Sequence, residues 1–381
     1  MIDSKKYIQI SQPSMGKEEW EACKDPIFSG WVTQGPKVTE FERLFAEIHG
    51  VKHAIAVSNC TTALHIAVVA SNVQPGDEVI LPAFTWVSTA NVIEYCGAKP
   101  VFVDIDLRTF NLDVDQLSNK INSKTKAIIP VHLFGLCADI DEIKKVAYNI
   151  PIIEDAACAA GSIYKGRYAG GLGTIGCFSF HPRKSITTGE GGMLTTNSDE
   201  LAEKMNCLRN HGASLSEEQR HKGSKPYILP EFKMVGYNYR MTDLQGAIGV
   251  IQLRKLRQFI QERNHWANFY NNHLSSLDWL VTPQTPNENE HGWQSFVTFV
   301  DESKSPRSRN ELMEYLQLNG VATRPGTHAV HMLDFYSKKY NLKSSDFPNA
   351  MKADQQSMAI PLHNLMTEED YHYIIDLLKF A

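Results

Sequence analysis

The sequence predicts an α/β protein in which a mostly parallel sheet forms a large domain and a smaller α+β domain follows it. Two patterns predict this. From about residue 50, short β-branched apolar runs alternate with amphipathic segments, and several runs are apolar on both faces, as in a sheet covered by helices on each side. After about residue 290 the order becomes strand, helix, strand and terminal helix. A chain of 381 residues has room for about two domains of roughly 150 residues each. With 43% hydrophobic and 21% charged residues, its composition excludes a disordered, collagen-like or coiled-coil reading.

Taken in order, the strand and helix pairs are HAIAVS with TTALHIAVVASN, DEVILP with TWVSTANVIEYCG, KPVFVDI with VDQLSNKINS, and KAIIPVHLF with IDEIKKVAYN, and then comes the strand PIIEDA. Each reads as part of a βαβ unit. In open α/β sheets ligands sit beyond the carboxyl ends of the strands, so the polar residues after each run are the place to look for chemistry. After Asn197 the alternation stops. A charged stretch reads as a helix and then as irregular chain broken at Gly223-Ser224-Lys225-Pro226-Tyr227. From Thr242 to about Leu274, apolar residues at helical spacing (Leu244, Ala247, Ile248, Ile251) predict a long helix that could bridge two domains, with Asp243 as its capping acid. The division this suggests is residues 1–250 for the large domain and 251–381 for the bridging helix and small domain. There SFVTFVD and VATRP read as strands, RNELMEYLQLNG as a helix stopped by Gly320, and EEDYHYIIDLLKF as the last helix.

Lys and Arg total 38 against 43 Asp and Glu, a net charge of −5. With no long basic run, nucleic acid is not an expected partner. Seven cysteines, an odd number without a CxxC pair, argue against a disulfide framework and a zinc site and favour a reducing cytoplasm. The opening MIDSKKYIQISQPSM has no apolar core of a signal peptide, and no run approaches the roughly 20 apolar residues of a membrane span, so neither secretion nor membrane insertion is expected.

Five clusters could carry chemistry. The strand Ile152-Ile153 ends in Glu154 and Asp155, and an acid at such a turn either serves a site or caps the next helix. Phe178 to Gly192 gathers Ser179, His181, Arg183 and Lys184 on a segment made irregular by Pro182 and three glycines. A lysine alone is usually a solvated surface residue, but beside an acid and a hydroxyl it suits Schiff-base chemistry. Ser58 to Leu64 is a strand end opening a helix, which either binds an anion on its free N–H groups or is a plain N-cap. Trp86, after the strand DEVIL, could lie against a planar ring or pack in the core. Gly236 to Thr242, before the long helix, either serves a site or caps that helix.

Together these motifs identify a resemblance. SNCTTALH, GDEVILPAFTWVSTAN, VFVDID, EDAA, FSFHPRKSITTGEGG and GYNYRMTDLQGAIG occur in the order seen in the DegT/DnrJ/StrS family of pyridoxal-phosphate-dependent, fold-type I sugar aminotransferases, and the chain resembles that family from about residue 10 to its C-terminus. The resemblance implies that Lys184 forms the internal aldimine with pyridoxal 5′-phosphate and later moves the proton, and that Asp155 pairs with the pyridine nitrogen so that the ring accepts electrons. It places Trp86 on the ring face and Ser179 with the Cys60-Thr61 turn on the phosphate. It sends Asn238 to the phosphate of a neighbouring subunit, which implies a symmetric homodimer with composite sites. Cys60 stands where many relatives have Gly, so only its backbone N–H carries over. Cys158 stands near the cofactor where relatives often have Gln, His or Glu.

The implied reaction is a two-half transamination. L-glutamate gives its amine to the cofactor and leaves as 2-oxoglutarate, and the pyridoxamine 5′-phosphate form passes the amine to a nucleotide-linked keto sugar. A 4-keto-6-deoxy sugar aminated at C4 for surface-polysaccharide or O-antigen synthesis is the first expectation, with GDP-perosamine synthase-like enzymes the nearest branch. Amination of a dTDP- or UDP-linked 3-keto sugar is the alternative. A 3-dehydratase of the same fold would have His where this chain has Lys184, and a non-catalytic regulatory protein would tolerate loss of Lys184 or Asp155, both of which are present. His181, His328 and His331 are the histidines expected to line the sugar pocket, although lone histidines are more often structural or surface residues.

Overall fold

The computed structural model describes residues 7–214, 227 and 229–381. Gly223 to Pro226, where the sequence suggests a break, lie outside the described residues. Two short helices, α1 (Lys17–Ala22) and α2 (Lys24–Ser29), lead into α3 (Pro36–His49). The βαβ region follows with β1 (His53–Val57), α4 (Cys60–Ala70), β2 (Glu78–Pro82), α5 (Ser88–Tyr95), β3 (Lys99–Val103), β4 (Thr125–Ile128), α6 (Ile140–Ala147) and β5 (Ile153–Asp155). Then come β6 (Ile175–Ser179), β7 (Gly192–Thr196), α7 (Asp199–Arg209) and the 32-residue α8 (Asp243–Leu274).

The strands lie side by side in the order β3, β2, β4, β5, β6, β7, β1. β2 pairs in parallel with β3 and β4, single parallel bridges (Ile128 with Ile152, Val131 with Asp155) join β4 to β5, and β5 pairs in parallel with β6. The expected parallel sheet is present with one exception. β7 runs antiparallel to both β6 and β1, so β1 reaches the sheet only through a strand that the apolar pattern did not single out. Alternate strand residues feed opposite cores, as the two-residue period of a strand requires. Val79, Leu81, Ile153 and Cys177 join one apolar cluster with α4 and α5, while Ile80, Ala56, Ile152 and Phe178 join another with α3, α6 and the first half of α8.

A third cluster gathers Ala267, Tyr270 and Leu274 of α8 with β8 (Phe296–Val300), α9 (Arg309–Leu318), β9 (Ser357–Ile360) and α10 (Glu368–Lys379). β9 pairs antiparallel with β8, and VATRP, read as a strand from the sequence, forms none. Val321 and Arg324 of that segment make only isolated bridges, to Ile8 and Ala359.

Asp243 does not cap its own helix. Thr242 is the N-cap of α8, with Gln245 closing a reciprocal capping box. The Asp243 carboxylate reaches back across the chain, where Oδ1 accepts from the N–H groups of Gly35 and Val38 (2.9 Å each) and Oδ2 accepts from that of Lys37 (3.1 Å). It therefore neutralises the start of α3. The two helices meet closely at Gly249, where a Cβ would lie 2.8 Å from the Phe41 ring. No helix among the described residues is long and apolar enough to cross a membrane.

Three imidazoles are locked neutral inside this frame. His49 Nδ1 donates to the Phe45 carbonyl (3.1 Å) and Nε2 accepts from the Gly161 N–H (3.2 Å), and burial pushes its pKa down to about 4. Burial likewise lowers His363 to about 4 and His291 to about 3. The unfolded chain takes up protons near the ordinary histidine value, about 6.5, and the folded chain does so only at these lower values. Stability present above the ordinary value is therefore lost as pH falls toward them. Denaturant midpoints should decline from pH 7 to 5, above the range where most carboxylates titrate, and a level midpoint over that interval would contradict the neutral burial of these rings.

Candidate active site

The site grows from the carboxyl ends of parallel strands. β5 delivers two consecutive acids, and because side chains alternate along a strand they face opposite sides of the sheet. Glu154 turns to the scaffold. Its carboxylate accepts from the N–H groups of Gly170 (2.7 Å), Leu172 (2.8 Å) and Gly173 (2.5 Å) and from His132 Nε2 (2.9 Å). The Ala138 N–H donates to His132 Nδ1 (3.1 Å), which fixes the tautomer with the proton on Nε2.

Asp155 turns to the site. It is buried at 4% exposure, its Oδ2 accepts from Thr89 Oγ1 (2.8 Å) and its Oδ1 from the Ala157 N–H (3.2 Å). No helix follows β5, so the capping alternative for Asp155 falls away. Burial raises its pKa, and the Thr89 and Ala157 bonds and the charge of Lys184 oppose that rise. Thr89 is a site residue that sequence reasoning missed. The available signal was its spacing from Thr85, four residues earlier, whose hydroxyl lies 3.3 Å from its own.

Lys184 lies on the segment between β6 and β7. Its N–H donates to the His181 carbonyl (2.9 Å), and its Nζ donates to Cys158 Sγ (3.1 Å). Burial works against the ammonium, but Cys158, Cys60 and Asp155 outweigh it and hold the Lys184 pKa above the usual lysine value. The Cys60 thiol is pushed up by burial and then by Asp155. Cys60 and Thr61 open α4, where Asn59 Oδ1 accepts from the Thr62 N–H (2.9 Å) and leaves the earlier N–H groups for an anion. β7 passes this turn because residue 192 is glycine, since a Cβ there would lie 2.5 Å from the Asn59 carbonyl. Ser179, buried, ends β6 with its Oγ accepting from the His181 N–H (3.4 Å).

The remaining expected residues divide. Trp86 is 60% exposed, and its ring centroid lies 5.6 Å from that of His328, brought there by the pairing of His328–Ala329 with Phe84–Thr85. His181 is half-buried between Ser179 and Lys184, with its pKa lowered by burial and by the charges of Lys184 and Arg183. Asn238 is exposed before α8, in a bridge to Asn210, and makes none of the contacts just described. His331 is a correction. It has no exposed surface and its ring packs against Phe347 (4.7 Å), so it belongs to the core and not to a sugar pocket.

Comparison with known proteins shows the family. The model of the DegT/DnrJ/EryC1/StrS aminotransferase family matches residues 13–379. The chain belongs to that family. It is similar to GDP-perosamine synthase of Caulobacter vibrioides, 39% identical over 375 residues that cover 97% of each protein. It is also similar to the spore coat polysaccharide biosynthesis protein SpsC of Bacillus subtilis, 38% identical over 376 residues that cover 98% of this chain and 96% of that one. A solved sugar aminotransferase of Streptococcus pneumoniae in its PLP form superimposes with a TM-score of 0.90 at 29% identity, covering 98% of both chains.

The protein is thus a PLP-dependent sugar aminotransferase of fold type I. Its residues fit the cofactor: a primary amine, a buried carboxylate beside it and a helix start with unclaimed N–H groups supply the three kinds of contact that the group needs.

Because burial raises the Asp155 pKa, the cofactor-free protein carries a penalty that accrues as pH rises from the ordinary aspartate value through the raised folded value, and that is present in full above it. The Asp155→Asn variant escapes the penalty, with its amide oxygen accepting from the Ala157 N–H and its NH2 donating to the Thr89 hydroxyl, which rotates to accept. Without cofactor it should melt at or above wild type at pH 7, with the difference closing near pH 4. A lower melting temperature at pH 7 would show that the carboxylate stabilises the fold.

Proposed function

We propose that the enzyme moves an amino group from L-glutamate to C4 of a GDP-linked 4-keto-6-deoxy sugar, yielding an amino sugar nucleotide for surface-polysaccharide synthesis. The observation that carries the chemistry is the placing of the Lys184 amine 3.1 Å from Cys158 and next to the buried Asp155. The likeness to a GDP-perosamine synthase over nearly the whole of both chains supports the choice of sugar. When bound, pyridoxal 5′-phosphate supplies the electron sink that acidifies the donor's Cα–H, and it stores the amine between the two half-reactions.

The chain's own residues do the rest. Lys184 Nζ would take the Cα proton of glutamate and deliver it to the cofactor's C4′, and in the sugar half-reaction would move a proton from C4′ to the sugar carbon that receives the amine. The Asp155 carboxylate would hold a proton on the ring nitrogen, and its hydrogen bonds from Thr89 and the Ala157 N–H fix its orientation. The N–H groups of Cys60 and Thr61 and the Ser179 hydroxyl bind the phosphate dianion, which the α4 dipole favours. Trp86 covers one ring face and keeps water from it, and His181 and His328 flank the sugar. Asn238, exposed in a single chain, reaches the phosphate site of a neighbouring subunit in a homodimer. The seven free cysteines suit a reducing cytoplasm.

Incubation of the yellow holoenzyme with glutamate should bleach it, and of a panel of GDP-, dTDP- and UDP-linked keto sugars the GDP-linked 4-keto-6-deoxyhexose should restore the colour. NMR of the product should place the amine at C4, and an amine at C3 or recovery only with another nucleotide would overturn the assignment. Lys184→Ala should lose turnover while remaining folded. Asp155→Asn should slow the glutamate half-reaction by at least about 100-fold, and unchanged kinetics would remove Asp155 from the ring nitrogen.

A further inference from the structure

Lys184 has no regular secondary structure of its own, so something else must fix where its amine stands. Its loop is cinched at the base. The Thr187 hydroxyl donates to the Phe180 carbonyl (2.8 Å), the Thr188 N–H donates to the same carbonyl (3.0 Å), and the Phe180 N–H donates to the Gly191 carbonyl (2.9 Å). Two contacts grip the residues on either side of the lysine: Gln294 Nε2 donates to the Arg183 carbonyl (3.0 Å), and the Ser185 hydroxyl donates to the Gly292 carbonyl (3.4 Å).

The long helix α8 holds both grips. Arg263, buried, donates through Nη1 to the Trp293 carbonyl (2.9 Å), in the segment that touches Arg183 and Ser185. Gln252 touches the loop directly, since its Oε1 accepts from the Thr187 N–H (3.2 Å) while its Nε2 donates to Glu19 Oε1 and to the Ser14 carbonyl (2.8 Å each). These partners fix the orientation of the amide, because a donor faces its oxygen and two acceptors face its nitrogen. Gln252 is 1% exposed, so an unmade bond here would leave a buried polar group without compensation. Gln252 and Arg263 lie about three turns apart and so share one face of the helix.

We propose that Gln252 is a positioning residue for Lys184: from α8 it locks the lysine loop to the N-terminal segment and so sets where the Nζ stands relative to Asp155 and Cys158. The proposal rests on the reading of Lys184 as the reactive lysine. A misplacement of about 1 Å in such a group costs up to about 100-fold in rate, so a single hydrogen bond at the base of the loop has leverage on chemistry it does not touch.

The test compares wild type, Gln252→Leu and the double variant Glu19→Gln/Gln252→Glu, which keeps a side-chain oxygen facing Thr187 and a donor facing it from position 19 and gives up only the donor to the Ser14 carbonyl. In cofactor-free protein, the pH profile of Lys184 acetylation by acetic anhydride, read by peptide mass spectrometry, reports the environment of the amine. Gln252→Leu should move the midpoint of that profile and lower kcat of the glutamate half-reaction about tenfold, with KM for glutamate within about twofold. The double variant should return both toward wild type. An unmoved acetylation midpoint, whether kcat holds or falls together with the melting temperature, would reduce Gln252 to a packing role and overturn the proposal. If Gln252→Leu does not fold, Gln252→Asn, one methylene shorter with the same groups, is held to the same two outcomes. Lys184→Ala separates the underlying reading: if that variant keeps turnover, Lys184 itself is misassigned, whatever Gln252 does.

Discussion

A carboxylate held at the closed end of an apolar strand is the constraint around which the rest of this molecule is arranged. Removing Asp155 from water is costly unless hydrogen bonds or opposite charge compensate, and the fold supplies both, from Thr89 on α5, from the Ala157 N–H and from Lys184 on the segment after β6. The compensation is incomplete, because burial still leaves the Asp155 pKa raised. A residual cost of this kind marks a group kept for chemistry, since an apolar residue at the same place would serve the core better. The neighbouring acid shows the contrast. Glu154 accepts three backbone N–H groups and the His132 proton, so its charge is satisfied by the scaffold and it has nothing to offer a ligand.

Much of this was legible in the sequence because it depends on local pattern. Apolar runs such as Val79-Ile80-Leu81 must be strands of a covered sheet, and the polar residues after them must stand at its carboxyl edge. That logic places Cys60, Trp86, Asp155 and Ser179 without any knowledge of their contacts. The motif order then named the family, which covers nearly the whole chain. What was not legible depends on partners distant in sequence. The direction of β7 is set by its neighbours β6 and β1, not by its own residues. Asp243 looked like a cap for α8 because a cap is the nearest use for such an acid, yet it closes the start of α3, 205 residues away from Val38. His331 sits in a segment rich in histidine, and only the packing of Phe347 against it shows that it faces inward.

The two halves of α8 join these levels. Its first half packs into the sheet's core through Val250, Leu253, Leu256 and Ile260, while Ala267, Tyr270 and Leu274 pack with the C-terminal strands and helices. A helix anchored in both cores can hold side chains at fixed separation, which a loop cannot. Its polar residues exploit this. Asp243 sets α3, Gln252 reaches the lysine loop, and Arg263 and Asn264 fix the carbonyl and the indole of Trp293. The helix that the hydrophobic pattern marks as a bridge is therefore also the support of the reactive segment.

Cys158 shows how far contact geometry constrains chemistry at this site. Its sulfur lies 3.1 Å from Lys184 Nζ, where an amide or carboxylate would make a strong hydrogen bond and a thiol makes a weak one. Cys158 acts on the Lys184 pKa ahead of Cys60 and Asp155, and the frame that positions the loop sets where the amine stands. A weak neighbour at position 158 makes that frame matter more, because no strong side-chain bond to the amine is available to correct a displaced loop.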